Sequence, residues 1–596
     1  MRKKLEPTDK TSDTYDVAER AALCINALTG ATNPLADHEL YFWACFFRNP
    51  VAMRNNIDDW CQTKFMEALP LLRIASGSRA RLEVDEVWHR VTLKSIGPDG
   101  LFYLPLTGRP WGRGGGCYPQ GKPVACADGK LRGTKDPAVA QFSHPFLNAR
   151  QFNALIVYSL RDRNSFWTDL MRKRVARMAE LIAYRDDFCF WLDVGYEPGT
   201  PWKPGATGEL PSGMDVNYVT GMLSYCAGKY HRLTGDQQAA TLGEKTARFV
   251  IRHGGYFGSG GEFQVDAHFH AHTAILIHLL EFAAATGDRD TLEFVRKSYE
   301  WAKTPAAGGS DTIGAFPELA HPSYNVYESC EIADMIGLAL KLSKAGVGDY
   351  YNDAERWIRN HFAESQLREE QVPLIYHLSG KQPPTPVAEN ETAWRVAERN
   401  VGAFAGWSRA NDWAALKSNS IQHCCTGNAA RTLYWIWLEA LRFNDGDLRV
   451  NLLLNRASRE ADVYSFIPCQ GKVEIKIKAA CKAVYVHAPG WVKAGSPRMK
   501  AAVDGKAVRA RWEDRYLALG PAQAGQRVTV ELPIAERTVK ETIGAVDYTL
   551  VIKGDTVVSI DPPGRNLPLY LRDHYRSNEP RYVEVERFLS DTVVEY

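Results

Sequence analysis

The chain of 596 residues contains no apolar run near the ~18–20 residues a bilayer-spanning helix requires, so no such helix is expected. It has no surplus of either charge, with 72 basic against 70 acidic residues and a net charge of +2. No basic run or stripe occurs, and nucleic acid and anionic membrane surfaces are not expected partners. Cysteines are few for the length, 12 in all, and scattered, unlike the dense framework of a disulfide-stapled protein. The opening stretch "MRKKLEPTDKTSDTYD" has basic residues but no apolar core behind them. No secretory leader is expected, and a reducing, cytoplasmic setting is. Generic motifs are missing too. In "GRGGGCYPQGK" Lys122 is followed by Pro123, which rules out a phosphate-binding loop of the Walker type. There is no His-Glu-x-x-His, and "GYFGSGGEF" lacks the strand–helix setting of a dinucleotide site.

What is present is an aromatic content of 11%, including 16 tryptophans. Flat rings stack on sugar faces, and they also fill large cores; composition leaves both readings open. The length calls for two to four domains.

From about Ala18 to Arg442 the apolar period is helical. One unit recurs: a long apolar helix, a turn with Gly and Asp, then a second helix. "VNYVTGMLSYCAGKYHRLTGDQQAATLGEKTARFVI", "HTAILIHLLEFAAATGDRDTLEFVRKSYEWA" and "IADMIGLALKLSKAGVGDYYNDAERWIRNHF" are three copies, with turns at Gly235, Gly287 and Gly348. In each, Gly supplies a left-handed residue after the first helix and Asp caps the second. Repeated helical hairpins of this length predict an α/α solenoid or closed toroid. "RLEVDEVWHRVTLKSIGPDGLFYLPLTGRPWG" reads as a strand-like insertion, near 80–125, decorating the mouth. After about Gly446 short alternating runs take over, among them "ADVYSFIP", "GKVEIKIKAACKAVYVHAPGW", "KAAVDGKAV" and "QRVTVELPI", with a hairpin at Asp504-Gly505. The expected architecture is multidomain α+β. An N-terminal α/α toroid over 1–445 precedes a C-terminal β-sandwich over 446–596.

Two local signatures carry chemistry. In "NSIQHCCTGNAARTLYWIW" the adjacent Cys424 and Cys425 stand where a polar loop enters an apolar helix. Neighbouring cysteines bond each other only with strain. They are inert apolar residues, metal ligands, or a reactive thiol with a helper. In "PSYNVYESCEIADMIGLAL" Glu328 and Cys330 are two apart at a second helix entrance. Together the pairs supply one carboxylate and three thiolates, enough for a closed tetrahedral zinc site; separately buried cysteines are the alternative.

"ESCEIAD", then "HCCTGN", "LRVNLLLN" and a strand ending "HAPGW" resemble the zinc–cysteine β-L-arabinofuranosidase group, glycoside hydrolase family 127 and its relatives. The resemblance runs from about Gly213 to Leu532. It implies an (α/α)6 barrel, a zinc ion and retaining hydrolysis of a terminal sugar. Glu328, Cys330, Cys424 and Cys425 match the zinc ligands, and Cys424 matches the nucleophile. Where family members often read Cys-Cys-Pro-Pro-Asn, this chain has Thr426 and Gly427 before Asn428. The chemistry is sound from below, because zinc holds as thiolate a thiol that is otherwise mostly protonated near neutral pH. One thiolate and one acid then replace the usual pair of carboxylates.

The acid departs from the family. A Gly-Glu pair is expected in the loop before Glu328, and here Ala315 follows Gly314 in "GGSDTIGAFPELAHPSYN". Glu318 and Asp311 are the available carboxyls, and Glu318 is preferred because its Pro-Glu-Leu setting can desolvate it. The third feature is "EFQVDAHFHAHTAIL". Extended, it places Gln264, Asp266, His268, His270 and His272 on one face; helical, His268 and His272 share a face. A second metal is one use, and sugar contact by His270 and His272 is the preferred one. Two other readings stay open: a sugar epimerase or lyase with His270 or His272 as base, and a non-catalytic glycan-binding protein with structural zinc.

Overall fold

The computed structural model describes residues 9–54, 59–105, 124–125, 131–132, 141–191, 210–416 and 420–596. Six helices form a closed ring: Asp59–Ser76, Pro145–Asp162, Met214–Thr234, Phe269–Thr286, Ser329–Lys344 and His423–Ala440. Each packs against the next, and the last packs back against the first. These helices are buried along nearly their whole length: every residue from Pro145 to Ser159 and from Phe269 to Ala283 is buried. A helix buried all round belongs to an interior.

Outside the ring lie Val17–Gly30, Leu82–Ser95, Ser165–Leu181, Gln237–Arg252, Arg289–Ala302 and Tyr351–Trp357. Gln237–Arg252 buries one stripe, Ala239, Leu242, Gly243, Thr246, Ala247, Phe249 and Val250, as an outer helix must. The paired-helix toroid read from the sequence is therefore present. Among the described residues no helix is long and apolar enough to cross a membrane.

The expected turns hold in two of three copies. Gly235 and Gly287, both with φ 76°, end inner helices, and Asp236 and Asp288 accept from Ala239 N–H and Thr291 N–H to start outer ones. In the third, the residue after the inner helix is Ala345, and Gly346 takes the left-handed turn at φ 68°. Tyr350, not Asp349, is the residue before the helix; the Asp349 carboxylate accepts from Tyr351 N–H and lies 3.0 Å from His487 Nε2, joining the helices to the strand-rich region. The segment read as strand-like is corrected: Leu82–Ser95 is helical, with Val84, Trp88, Val91 and Thr92 on one buried face. Its continuation over 106–123 lies outside the described residues.

The C-terminal region is strand-rich but serves two cores. A five-stranded and a six-stranded sheet, drawn from Leu441–Glu531, share a core of Leu448, Val450, Val463, Ile475, Val486, Leu517, Val528 and Val530. The Asp504-Gly505 hairpin is there, with both residues at positive φ, 49° and 75°. A separate three-stranded sheet, Glu536–Ile543, Val546–Lys553 and Thr556–Asp561, turns away from that core. Its Ile543, Leu550, Ile552 and Val557 pack with Trp413, Ala405, Tyr327 and Ile421 from the loops at one mouth of the ring. Within this strand-rich region two sheets share one core, and the third packs on the loops at the ring's mouth. Alternation identifies strands but not which core their apolar face joins.

Candidate metal centre and active site

Tyr327 and Ile421, anchored on the third sheet, stand just before the chemistry. Tyr327–Glu328 is a two-residue strand paired with Trp407–Ser408, and Glu328 is the last residue before helix Ser329–Lys344. Ile421–Gln422 pairs with Trp43–Ala44, and helix His423–Ala440 follows. The two helices are ring neighbours, so their N-termini bring Cys330 and the pair Cys424–Cys425 to one place, where the helix dipoles favour negative charge. Gly427 permits the close approach of helix Asp59–Ser76: a Cβ there would lie 2.7 Å from Lys64 Cβ.

Glu328, Cys330, Cys424 and Cys425 offer four ligand atoms within 4.8 Å of one another. Cys330 Sγ is 3.5 Å and Cys424 Sγ 3.7 Å from Cys425 Sγ. Glu328 Oε1 lies 3.0 Å from Cys425 Sγ and 3.6 Å from Cys424 Sγ. A tetrahedral zinc with bonds of ~2.3 Å to sulfur and ~2.0 Å to oxygen separates thiolates by about 3.8 Å and a thiolate from a carboxylate oxygen by about 3.5 Å. The four edges given, 3.0–3.7 Å, are on the scale of such a tetrahedron, and thiolate with carboxylate is a donor set that zinc accepts.

The electrostatics point the same way. Burial opposes ionisation of Cys330, yet hydrogen bonds from Cys424 and Cys425 hold its thiol well below the usual range. Burial, with that thiolate beside them, pushes Cys424 and Cys425 well above it. Cys330 and Cys425 are fully buried, while Cys424 keeps an exposed surface.

Of the carboxyls weighed as the acid, Glu318 is at the centre and Asp311 is not. Glu318 sits between the mouth's strands, its backbone N–H donating to Val326 O and its carbonyl accepting from Phe269 N–H. Burial raises its pKa and the nearby Glu328 raises it further; the Tyr324 hydroxyl, 3.3 Å away, partly offsets this. Asp311 is half-exposed and ion-paired to Arg356 at 2.7 Å.

The histidine stretch is neither all strand nor all helix: His268 precedes the helix that starts at Phe269. His270 points to the ring's axis, its Nδ1 2.6 Å from Asp334 Oδ2 and its Nε2 3.2 Å from Asn428 Nδ2 and 3.3 Å from the Tyr218 hydroxyl. His272 corrects the expectation made for it. Its ring is fully buried between Tyr256 and Phe263, at centroid distances of 4.0 and 4.4 Å. Nδ1 faces His268 O and Nε2 faces Tyr256 O, each at 3.1 Å. With both nitrogens on backbone groups, and burial lowering its pKa to about 4, it offers neither a sugar contact nor a base.

Of the two other residues at the centre, His268 was named from the sequence but not preferred, and Glu331 was not named. His268 Nε2 lies 3.2 Å from Glu328 Oε2, and a third of its side chain is exposed. Burial lowers its pKa, but Glu328 outweighs this and holds it raised. Glu331 is fully buried 3.7 Å from His268, its carboxyl pushed well up by burial and by Glu328 and Cys330. The adjacency of Glu331 to Cys330 was a usable signal; what the sequence did not show is that the place of His268 at the helix start aims it at Glu328.

Fold and cluster together define an α/α-toroid protein with a thiol-rich cluster, compatible with a metal ion, at one mouth. No protein-family model matches the chain, and no curated protein matches it in sequence. Solved structures share its fold. A GH127 β-L-arabinofuranosidase from Geobacillus stearothermophilus T6 is 14% identical, with a TM-score of 0.52 over 91% of this chain and 80% of that one. A second GH127 β-arabinofuranosidase is 14% identical, with a TM-score of 0.57 over 92% and 83%. A third structure, a glycoside hydrolase, is 12% identical, with a TM-score of 0.56 over 92% and 81%.

Proposed function

We propose that the chain is a retaining, zinc-dependent glycoside hydrolase that releases a terminal sugar from a β-L-arabinofuranoside or a related glycoside. The observation that carries this reading is the Cys3Glu cluster in which one thiol alone, Cys424, keeps an open side. The shared fold of the GH127 enzymes supports it. In this reading the helix ring is the catalytic (α/α)6 barrel and the two sheets with a common core are a β-sandwich beside it.

Glu328, Cys330, Cys424 and Cys425 would hold the zinc, which when bound keeps the thiols ionised at neutral pH. Cys424 attacks the anomeric carbon: a C–S bond forms as the glycosidic C–O bond breaks, and Glu318 gives its proton to the leaving oxygen. Water then attacks the same carbon, Glu318 takes its proton, and the C–S bond breaks. His268 and Glu331 orient Glu328 by facing its carboxylate. His270, its Nδ1 held by Asp334, would meet a sugar hydroxyl only by exchanging Asn428 or Tyr218 at Nε2.

A panel of aryl furanosides and pyranosides tests this reading. Phenol release that disappears with Glu318→Gln is expected. No release from any member, in zinc-loaded protein, would contradict it.

A further inference from the structure

We propose that Trp407, backed by Trp43, is the platform of the leaving-group subsite, and that the enzyme prefers glycosides whose leaving group presents a flat apolar face, an aryl ring or a second sugar. The proposal rests on the hydrolase reading above, because it takes Glu318 as the acid.

The strand pairing places both rings at the centre. Trp407 stands opposite Glu328, and Trp43 opposite Gln422, two residues before Cys424. Directly opposed residues of an antiparallel pair project from the same face. Trp407 therefore shares the face of Glu328, and Trp43 lies on the strand Trp43–Cys45 paired with Ile421–Gln422, the strand that leads to Cys424. The rings meet at a centroid distance of 5.7 Å with planes 30° apart, so Trp43 covers part of Trp407 and holds it in place. Both are half-buried, unlike Trp88, Trp191, Trp357, Trp413 and Trp435, which are core residues. Two large aromatic rings left partly open beside a polar centre are the residue type that binds sugar and aryl faces.

The side is set by Glu318. The Trp407 indole N–H is buried on the Glu318 side without a hydrogen-bond partner, and the Tyr324 hydroxyl lies 3.3 Å from the Glu318 carboxyl. The oxygen protonated by Glu318 is the one that departs, so the group attached to it extends beside Glu318 and over Trp407. The sugar attacked by Cys424 lies on the other side of that oxygen. Arg54, with its guanidinium 5.9 Å from the Trp43 ring centre, borders the platform.

The test is calorimetric binding of phenyl and methyl 1-thioglycosides of L-arabinofuranose, D-galactofuranose and D-glucopyranose to zinc-loaded protein. Binding and turnover are thereby read separately. At least one sugar should bind about 3- to 10-fold tighter as its phenyl than as its methyl thioglycoside, the scale of one aromatic stacking contact. Trp407→Ala should erase that difference and leave the methyl compound's affinity unchanged. Trp43→Ala should weaken it in the same sense, and Trp407→Phe should retain most of it. A phenyl preference lost in Trp407→Ala, in a protein that hydrolyses nothing, would keep the platform and sink the hydrolase reading. Active protein with no phenyl preference, a preference untouched by Trp407→Ala, or no binding of any probe would overturn the platform. Circular dichroism and zinc content of each variant separate loss of the subsite from loss of the fold.

Discussion

Cys424 and Cys425 are neighbours in the chain and lie 3.7 Å apart at sulfur, yet Glu328 Oε1 is 3.0 Å from Cys425 and 3.6 Å from Cys424. The first residues of a helix point in different directions. Cys425 faces protein and is fully buried, while Cys424 faces the mouth. Their substitutions should separate accordingly. Cys424→Ser should lower kcat by at least ~10³-fold, the scale for losing a covalent nucleophile, with most zinc retained. Cys425→Ser should lower zinc content and melting temperature together. Equal effects of the two on zinc and rate would contradict distinct roles.

Metal content is a second prediction. Elemental analysis should give about one zinc per chain, lost in Cys330→Ala, because a closed site needs all four ligands. Chelation should lower the melting temperature, since the ligands join two ring helices. Metal-free protein with full activity would contradict the account.

The third concerns pH. Glu318 must be protonated when the leaving group departs, and burial beside Glu328 raises its pKa. Activity should therefore fall as pH rises through a value above the usual carboxylate range. Tyr324→Phe removes a hydrogen bond that favours the ionised form, so this basic limb should move to higher pH. A limb that stays in place, or moves down, would argue against Glu318.

His272 gives a prediction about stability. Its folded-state pKa is lowered to about 4 by burial, from an ordinary value near ~6.5. A depressed pKa adds stability that is complete above the unfolded value and lost as pH falls toward the folded one. Between pH ~6.5 and ~4 this group should cost the wild type up to about 3 kcal/mol, so His272→Phe should flatten the decline of unfolding free energy over that window. Turnover at neutral pH should stay within about two-fold, because the ring touches only Tyr256, Phe263, Phe257 and backbone. A large loss of rate at unchanged stability would return His272 to the sugar site.

How much of this was legible follows from the kind of signal. Glu328–Cys330 and Cys424–Cys425 are pairs of rare ligand types at fixed short spacing beside helix entrances, and ligand sets of that kind survive without coordinates. The helical hairpins were readable because an inner helix is apolar throughout and Gly-Asp turns have a mechanism. His272 was misassigned because extended and helical readings of the run were both open, and the helix begins inside it, turning His272 away while His268 stays outside. The third C-terminal sheet was read as part of a sandwich because its pattern matches any half-buried strand. Trp43 and Trp407 could not be placed at all: they come from strands more than three hundred residues apart, and pairing with Gln422 and Glu328 alone brings them together.

The most direct test of the central claim is covalent labelling of the nucleophile by a haloacetamide derivative of arabinofuranose, read by tandem mass spectrometry of zinc-loaded protein. The account predicts one adduct per chain, on Cys424 and not Cys425, with activity lost in step and protection by the free sugar. An adduct elsewhere with Cys424 unmodified, or near-normal turnover by Cys424→Ser, would contradict it.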